Sequence, residues 1–211
     1  MPDIFRVARG DFKIEDPWAI PKGCDAVRLR CATDGSVPRL STIVSAYFDD
    51  QAITFVFSAA DDHIVASFTE HDEPLWQEDV VEVFLSPRDV KEYFEIEVNP
   101  LGATFDARIE SPEGARSSMS SDLAWTCSGL VSAVRRTAEQ GTLITLDTLI
   151  RVPFSALGCA VPGRDDFWRG NLFRVDRHPA EGDEYSAWRP TMRTPADFHV
   201  PAAFGRLVFG R

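Results

Sequence analysis

The sequence lacks the motifs that mark most catalytic and metal-binding sites. Its four cysteines have neither C-x-x-C spacing nor the matched pair of histidines that zinc sites use. No phosphate-binding loop, nucleophile motif or metal-ligand helix occurs in the 211 residues. We therefore expect free, mostly buried thiols, with a disulfide between Cys24 and Cys31 as the alternative in an exported protein. The cysteines are Cys24, Cys31, Cys127 and Cys159.

Long apolar runs and an excess of basic residues are also missing. The first residues, MPDIFRVARGDFKIEDPW, carry scattered charges, unlike a secretory leader, and no window resembles a membrane span. We predict a cytoplasmic location, with secretion as the alternative for a chain whose leader has been removed. Twenty-two basic against 33 acidic residues give a formal charge of −11. This charge argues against nucleic acid and anionic membranes as partners, and it favours neutral or cationic ligands.

Strand signals dominate what is present. Turn residues separate short runs of β-branched and aromatic residues, and amphipathic helices are scarce. These features predict a single domain over residues 3–211 with an all-β fold, an antiparallel, jelly-roll-like β-sandwich with little helix. Strands are expected within residues 41–48, 51–62, 79–87, 92–99, 103–109, 124–153 (two strands joined near Gly141) and 204–210. A long loop is expected at 110–122, one helical turn at 153–158, and little periodicity between 160 and the last strand.

The stretch LWQEDVVEVFLSP places a carboxylate, Glu82, inside an apolar strand. Alternation directs Val81 and Val83 to one face, and Glu82 and Phe84 to the other. Glu82 is therefore either a tolerated edge charge or a group aimed at a ligand. In the second case we expect the segment DFHVP to cover it, so that it forms the floor of a cleft. The predicted core residues are Phe55, Phe57, Val81, Val83, Leu85, Phe94, Ile96, Val98, Leu146 and Ile150.

The next strand, EYFEIEVN, has one apolar face and one polar face. Its polar face carries Tyr93, Glu95, Glu97 and Asn99. If the two strands pair as a hairpin, these side chains share a sheet face with Glu82. The ordinary interpretation is a solvated face, and the alternative is a binding site.

Aromatic residues near this face favour the binding site. Trp76 precedes the Glu82 strand, and Trp188, Phe198 and His199 lie in a Pro-rich segment near the end of the chain. The C–H faces of a pyranose ring pack on flat aromatic rings, while its hydroxyls bond charged acceptors and amides. Tryptophan with glutamate and asparagine therefore fits a sugar cleft.

The chain resembles carbohydrate-binding modules of family 9. The resemblance rests on LWQEDVVEVFLSP…YFEIEVNPLG, on AYFDDQAITFVFSAADD, on the terminal W…FHVPAAFG and on IEDPW near the start. It covers nearly the whole chain in the right order, and W-x-x-D-x-V-E-x-F is its most specific part. The family fold is a β-sandwich, in agreement with the strand pattern.

The resemblance implies a non-catalytic protein that binds a mono- or oligosaccharide between two aromatic side chains, in a role connected with carbohydrate catabolism. Trp76 and Phe198 match the aromatic pair, Glu82 matches a carboxylate that bonds the sugar, and Asn99 matches the polar strand position. Two positions depart from the best-known members, which carry Trp at Phe198 and Arg at Glu97. The resemblance requires no cofactor but is compatible with a structural calcium ion. Further candidates for the site are Tyr93, Glu95, Glu97, Trp188 and His199.

Three alternatives stay open at the level of sequence. A glycoside hydrolase could use Glu82 with Glu95 or Glu97 as its paired carboxylates. A related sandwich could bind haem through histidine or methionine, although C-x-x-C-H is absent. An interaction module could have lost its sugar site. The candidate haem ligands are His63, His71, His178, His199, Met119 and Met192.

Overall fold

The computed structural model describes residues 3–138, 141 and 143–210. Within these ranges, fourteen strands (β1 to β14) and three short 3₁₀ turns form the regular structure. In chain order the strands span Ile4–Arg9, Ala26–Arg28, Arg30–Cys31, Thr42–Phe48, Ala52–Asp61, Val80–Ser86, Glu92–Val98, Thr104–Glu110, Ser120–Asp122, Val131–Ala138, Ile144–Pro153, Phe167–Asp176, Glu184–Ala187 and Gly205–Phe209. The 3₁₀ turns span Leu75–Gln77, Arg116–Ser118 and Pro201–Ala203. The fold is almost entirely β, as predicted.

The strands form two sheets that β1 joins. Sheet I has the order β10-β11-β5-β4, with β2 attached to β4. Sheet II has the order β14-β12-β6-β7-β8-β9, with β13 attached to β12 and β3 to β13. Strand β1 pairs in parallel with β4 and with β14, whereas the other pairings between described strands are antiparallel. This arrangement confirms the predicted β-sandwich.

The main hydrophobic core lies between the two sheets. Phe55 and Phe57 of sheet I and Val83 and Ile96 of sheet II are fully buried in one cluster. Every predicted core residue is buried, and Leu146 alone among them lies outside this cluster. The alternation predicted for β6 and β7 is therefore correct.

Strand β12 contradicts the expectation of little regular structure after residue 160. It pairs with β6, β13 and β14 and is central to sheet II. All residues from Gly170 to Asp176 are buried, and among them Arg174 pairs with Asp61 at 2.8 Å. A strand that is buried on both faces and contains glycine and charged residues gives no period-two signal.

Smaller predictions also need correction. The segment 153–158 beyond β11 forms turns and no helix, and the predicted loop 110–122 contains the short strand β9. The predicted pair in 124–153 is β10 and β11, although residues 139, 140 and 142 of their connection, like residue 211, lie outside the described residues. All four cysteines are free, as predicted, but only Cys127 is buried and the other three are partly exposed, so the expectation of mostly buried thiols is wrong. Among the described residues, no helix is long and apolar enough to cross a membrane.

The outer face of sheet II is covered and not solvated. It carries a second apolar cluster, built from β6, β7, β8 and β12 and from the loops above them. Three loops cover this face, at residues 62–79, 111–119 and 188–204. The solvated face that alternation made the ordinary interpretation of EYFEIEVN is therefore absent, and its polar side chains lie under loops. The buried members of this cluster are Ala32, Leu75, Val80, Phe84, Tyr93, Ala103, Phe105, Ala107, Ile109, Phe173, Val175, Ala187 and Phe204.

Candidate functional site

A cleft of about 960 Å³ opens over the outer face of sheet II. Five of the residues selected from the sequence line it together, although they come from distant parts of the chain. The segment 197–200, part of the predicted DFHVP cover, forms one side of the cleft. Its volume is in the range of small-molecule sites. The five predicted residues are Trp76, Glu82, Glu95, Phe198 and His199.

A row of four side chains crosses sheet II beneath the cleft. The strand register pairs Phe173 of β12 with Glu82 of β6, then Glu82 with Glu97 of β7, then Glu97 with Phe105 of β8. Directly opposite residues share a sheet face. Two carboxylates therefore lie between two phenylalanines, whose strands are roughly 14 Å apart at a spacing of about 4.8 Å per strand.

The phenylalanines at the two ends of this row contact the two wall aromatics, that is, the aromatic residues Trp76 and Phe198 predicted to border the sugar. The Phe198 ring stacks on Phe173, with centroids 4.1 Å apart and planes at 12°. The Trp76 indole meets Phe105 edge-on at 5.1 Å. Trp76 is 44% exposed, which leaves much of its surface free to contact a ligand. Trp76 and Phe198 thus stand at opposite ends of the row, with the carboxylates between them.

The short 3₁₀ turn that carries Trp76 is held in place by the buried side chain of Leu75 and by hydrogen bonds of Arg177 and Asp79. Leu75 is fully buried, so the adjacent Trp76 faces outward. The Arg177 Nη2 donates to the Trp76 carbonyl at 2.8 Å. Asp79 accepts hydrogen bonds from the backbone N–H groups of Val65 at 2.6 Å and of Arg177 at 2.7 Å. Because Asp79 is buried, its pKa is raised to about 7 in spite of these two bonds.

The segment 197–200, on the side of the cleft that carries Phe198, is held in place by polar contacts to the 111–119 loop and to β7. Arg116 donates to the Asp197 carboxylate at 2.8 Å, and Asp197 also accepts the backbone N–H of His199 at 3.1 Å. The Tyr93 hydroxyl and His199 Nδ1 are 2.9 Å apart. Burial, followed by the charge of Arg116, lowers the pKa of His199 to about 4, so this imidazole is neutral at neutral pH. Burial and Glu95 raise the pKa of Tyr93.

Three carboxylates meet at the floor of the cleft. Glu82, Glu95 and Glu97 each place a carboxylate oxygen within 4.8 Å of the other two. All three are buried, and burial is the main reason that the pKa of each is raised. Repulsion from Glu95 adds to the rise for Glu82, and repulsion from Glu82 and Glu95 adds to it for Glu97. The pKa of Glu95 is raised to about 7.

The structure places the other predicted site residues away from the cleft surface. Asn99 is buried: its Nδ2 donates to the Phe68 carbonyl at 2.8 Å, and its Oδ1 accepts from the backbone of Leu101 and Ala103. Its amide therefore closes a turn, and the expectation that it reaches a ligand needs correction. Glu97 and Tyr93 are fully buried below the lining residues.

Trp188 also needs correction as a candidate for the site. Its side chain is fully buried in the main core and meets the Phe5 ring at 5.7 Å. Its ring also lies against Gly205, where an added Cβ would be 2.3 Å from the indole. Trp188 thus packs between the sheets and cannot contact a ligand in the cleft.

Several contributors to the site gave no recognisable sequence signal. Phe105 and Phe173 look like ordinary strand residues, and only the register shows that they support the wall aromatics. Arg116 lies in a polar stretch that sequence analysis assigned to a surface loop, and Arg177 follows the unpredicted strand β12. Their roles depend on contacts between segments that are far apart in sequence.

Two further groups of side chains could hold a metal ion. In the group of Asp61, Asp79 and Asp176, the guanidinium of Arg174 already contacts Asp61 at 2.8 Å and Asp176 at 3.3 Å. The other group, His71 with Asp72 and Asp106, is partly exposed, and His71 Nδ1 is 2.9 Å from the Thr104 carbonyl. A structural calcium ion, with which the resemblance is compatible, would find oxygen ligands at these groups and at the floor of the cleft.

The chain is similar to a family model and to several solved structures. The family model for carbohydrate-binding family 9 matches residues 35–209. A proposed carbohydrate-binding protein from Bacteroides uniformis ATCC 8492 has a TM-score of 0.74 at 15% identity, over 97% of this chain and 99% of that one. A family 9 module from Caldicellulosiruptor kristjanssonii has a TM-score of 0.62 at 12% identity in complexes with cellotriose and with glucose. These matches cover 99% of this chain and 94% and 96% of those chains.

No protein with a curated description matches the chain. At identities of 12% and 15%, the structural likeness establishes the fold alone. The family model, in contrast, covers most of the sequence, including every residue that lines the cleft. The chain therefore belongs to carbohydrate-binding family 9, a family of non-catalytic carbohydrate-binding modules.

Proposed function

We propose that the chain binds a mono- or oligosaccharide in the cleft over sheet II. Trp76 and Phe198 form the apolar walls, and Glu82 and Glu95 accept hydrogen bonds from sugar hydroxyls. The observation that carries this proposal is the row across the sheet, which supports one wall aromatic at each end and places Glu82 between them.

The chemistry of the cleft suits a sugar. A pyranose ring offers apolar C–H faces to the aromatic walls and a ring of hydroxyls to the polar floor. An ionised carboxylate is a strong acceptor for such hydroxyls because the bond is charge-assisted, and the protonated form that burial favours at Glu82 and Glu95 can donate a hydrogen bond to a hydroxyl instead. Arg116 and Arg193 also line the cleft and supply donors. The cleft thus combines apolar walls with acceptors and donors.

The alternatives have less support. Hydrolysis is disfavoured because family 9 modules are non-catalytic. Among the candidate haem ligands, His63 contacts His178 and His71 lies beside Asp106. Met119 and His199 both line the cleft, where the Tyr93 hydroxyl contacts each of them. A sandwich that has lost its sugar site is the remaining alternative, and a binding experiment distinguishes it.

The ligands of the structural neighbours supply the first probes. The Caldicellulosiruptor module is bound to glucose and to cellotriose. We propose glucose and short β-glucans as candidate ligands here, to be tested by titration calorimetry alongside a glycan array. A disaccharide of about 23 heavy atoms at about −0.3 kcal/mol per atom gives a dissociation constant on the order of 10 μM.

The decisive variant is Trp76→Ala. If a sugar and the indole together remove about 100 Å² of apolar surface from water, the loss is about 2.5 kcal/mol, or roughly 70-fold in affinity. Phe167→Ala is the matched control, because Phe167 is also an exposed aromatic, at 48%, and does not line the cleft. We expect the control to bind normally. Equal binding by Trp76→Ala and wild type would refute the site, and no binding to any sugar would favour the interaction module.

A further inference from the structure

The floor of the cleft contains a carboxylate to which the chain supplies no N–H or hydroxyl donor. Both oxygens of Glu97 are buried without such a donor among the described residues, and the Glu95 carboxyl can share a hydrogen bond with Glu97 only when one of the two carries a proton. Glu97 itself is fully buried, and its carboxylate lies against those of Glu82 and Glu95. Buried polar groups are normally hydrogen-bonded, and an unpaired carboxylate is costly to bury. This buried carboxylate therefore needs either a proton shared with Glu95 or a cation from outside the chain.

The chain supplies no cation to this position. In the described part of the sequence, neither Glu82 nor Glu97 forms an ion pair, and the charges that act on them come from neighbouring carboxylates. His199 Nε2 is 3.9 Å from a carboxylate oxygen of Glu95, beyond hydrogen-bond distance. Arg116 is bonded to Asp197, and its charge acts on Glu95. When Glu82 and Glu97 are ionised, no cationic side chain among the described residues pairs with them.

The other two acidic groups differ in this respect. Among Asp61, Asp79 and Asp176, the place of a cation is taken by Arg174. The group around His71 is partly exposed, and Asp106 accepts the backbone N–H of Cys127 at 3.2 Å. The Asp61 group is equally buried and its Asp176 Oδ2 also lacks a hydrogen bond, but the guanidinium of Arg174 lies 3.3 Å from that oxygen. Among the described residues, the floor group alone of the three combines complete burial with oxygens that neither a hydrogen bond nor a cationic side chain contacts.

The spacing of the three carboxylates suits a hard divalent cation. Calcium binds oxygen ligands at about 2.3–2.6 Å, so two ligands on opposite sides of the ion are about 5 Å apart at most. The three oxygens of the floor lie within 4.8 Å of one another. The group offers carboxylate oxygens only, which favours calcium-like ions over zinc or copper. Three carboxylates leave coordination positions for water or for other oxygens.

Access to the floor favours a small ion over a larger cationic ligand. Glu82 and Glu95 line the cleft, whereas Glu97 lies beneath the lining residues. A ligand that contacts all three must therefore reach below the lining surface. A bare cation can do this, while the ammonium group of an amino sugar carries a pyranose ring with it.

We propose that Glu82, Glu95 and Glu97 hold a divalent cation at the floor of the cleft, and that hydroxyls of the bound sugar complete its coordination. This inference rests on the proposed function, since it makes sugar binding in the same cleft dependent on the cation. It assigns Glu97 a role in binding that its burial would otherwise conceal.

The metal is tested first, without sugar. Chelator-treated protein is titrated with Ca²⁺ by calorimetry, for wild type, Glu97→Gln and the control Asp72→Asn, which alters the exposed acidic group instead. We expect one Ca²⁺ per chain in wild type and in the control, and at least tenfold weaker binding in Glu97→Gln. Absence of Ca²⁺ binding in wild type, equal binding in Glu97→Gln, or its loss in Asp72→Asn overturns the proposal.

Folding of the variant is checked independently. Glutamine has the shape of glutamate and removes one of three repelling charges, so Glu97→Gln should keep the near-UV circular dichroism of the wild type. Ca²⁺ should raise the melting temperature of the wild type and leave that of Glu97→Gln almost unchanged. Equal stabilisation of both proteins would contradict the assignment even if calorimetry were ambiguous.

The link to sugar is tested with a sugar that binds the wild type, measured in Ca²⁺ and in chelator. We expect at least tenfold tighter binding in Ca²⁺. Equal affinity in both conditions overturns the metal link and leaves the proposed function standing. Tighter binding of glucosamine than of glucose in chelator also overturns it, in favour of a cationic sugar. If Ca²⁺ binds but no sugar does in either condition, the proposed function fails together with the link.

Discussion

The carboxyl group of Asp79 connects pH to the wall of the cleft that carries Trp76. Its oxygens accept the backbone N–H groups of Val65 and Arg177, and Arg177 in turn holds the Trp76 carbonyl. Burial raises the pKa of Asp79 to about 7, and the nearby Asp61 and Asp176 add to the rise. Asp79 therefore ionises at a cost, close to neutral pH.

The sign and size of the effect follow from linkage. The folded-state pKa lies above the unfolded value of about 3.9, so this contribution to stability is fully present below about pH 4 and is lost as the pH rises through 7. Between about pH 5 and about pH 8 the loss from one such group amounts to about 2–3 kcal/mol. For a domain of ordinary stability this is a large fraction of the total.

The prediction is tested by urea unfolding of wild type and Asp79→Asn at several pH values between about 5 and 8. The Asp79→Asn variant should be less stable than the wild type at every pH, because the asparagine NH₂ cannot accept one of the two backbone N–H bonds. Between about pH 5 and about pH 8, however, the wild type should lose about 2–3 kcal/mol more of its free energy of unfolding than the variant does. Buried carboxyls that do not interact with Asp79, such as Asp106, titrate in both proteins and cancel in the comparison. Parallel pH profiles would refute the reasoning.

Two further substitutions test the site and the core separately. Phe198→Trp should tighten sugar binding roughly fivefold, because about 40 Å² more apolar surface contributes about 1 kcal/mol. Phe167→Trp is the control and should bind as the wild type does. If Phe198→Trp also bound with unchanged affinity, Phe198 would not touch the sugar. Gly205→Ala should cost about 1–3 kcal/mol, since its Cβ would be 2.3 Å from the Trp188 ring. The melting temperature should fall by about 2–4 °C per kcal/mol, with sugar affinity unchanged. An unaltered melting temperature, or loss of binding without loss of stability, would contradict the placement of Trp188 in the core.

Most strands and hairpins of the fold could be predicted from local sequence patterns. The alternation in β6 and β7 predicted which side chains face the core, because the inner sides of these strands are uniformly apolar. The hairpins β4–β5 and β7–β8 were predicted from turn residues between strand-like runs. In both cases the information lies within about ten residues of chain, which is the range over which strand and turn signals act.

The remaining features depend on contacts between distant segments. Strand β12 has no alternation because both of its faces are buried, and its Arg174 is tolerated only because Asp61 of sheet I lies opposite. Trp188 and Phe198 are both aromatic residues of one Pro-rich segment, yet the first packs into the core and the second borders the cleft. Sequence composition cannot separate them. The register of sheet II determines where the cleft forms, because it places Phe173 beneath Phe198 and Phe105 beneath Trp76.

The two faces of strands β6 and β7 explain how an acidic floor is compatible with a stable fold. Their inner faces place Val83, Ile96 and their neighbours in the main core, which supplies hydrophobic stabilisation independently of the cleft. Their outer faces hold three carboxylates, whose burial and mutual repulsion oppose folding when they are ionised. A face selected for packing alone would be apolar here, as it is at the neighbouring Phe84 and Phe173. The proposed ligands account for this departure: sugar hydroxyls at the cleft surface for Glu82 and Glu95, and a cation beneath it for Glu97.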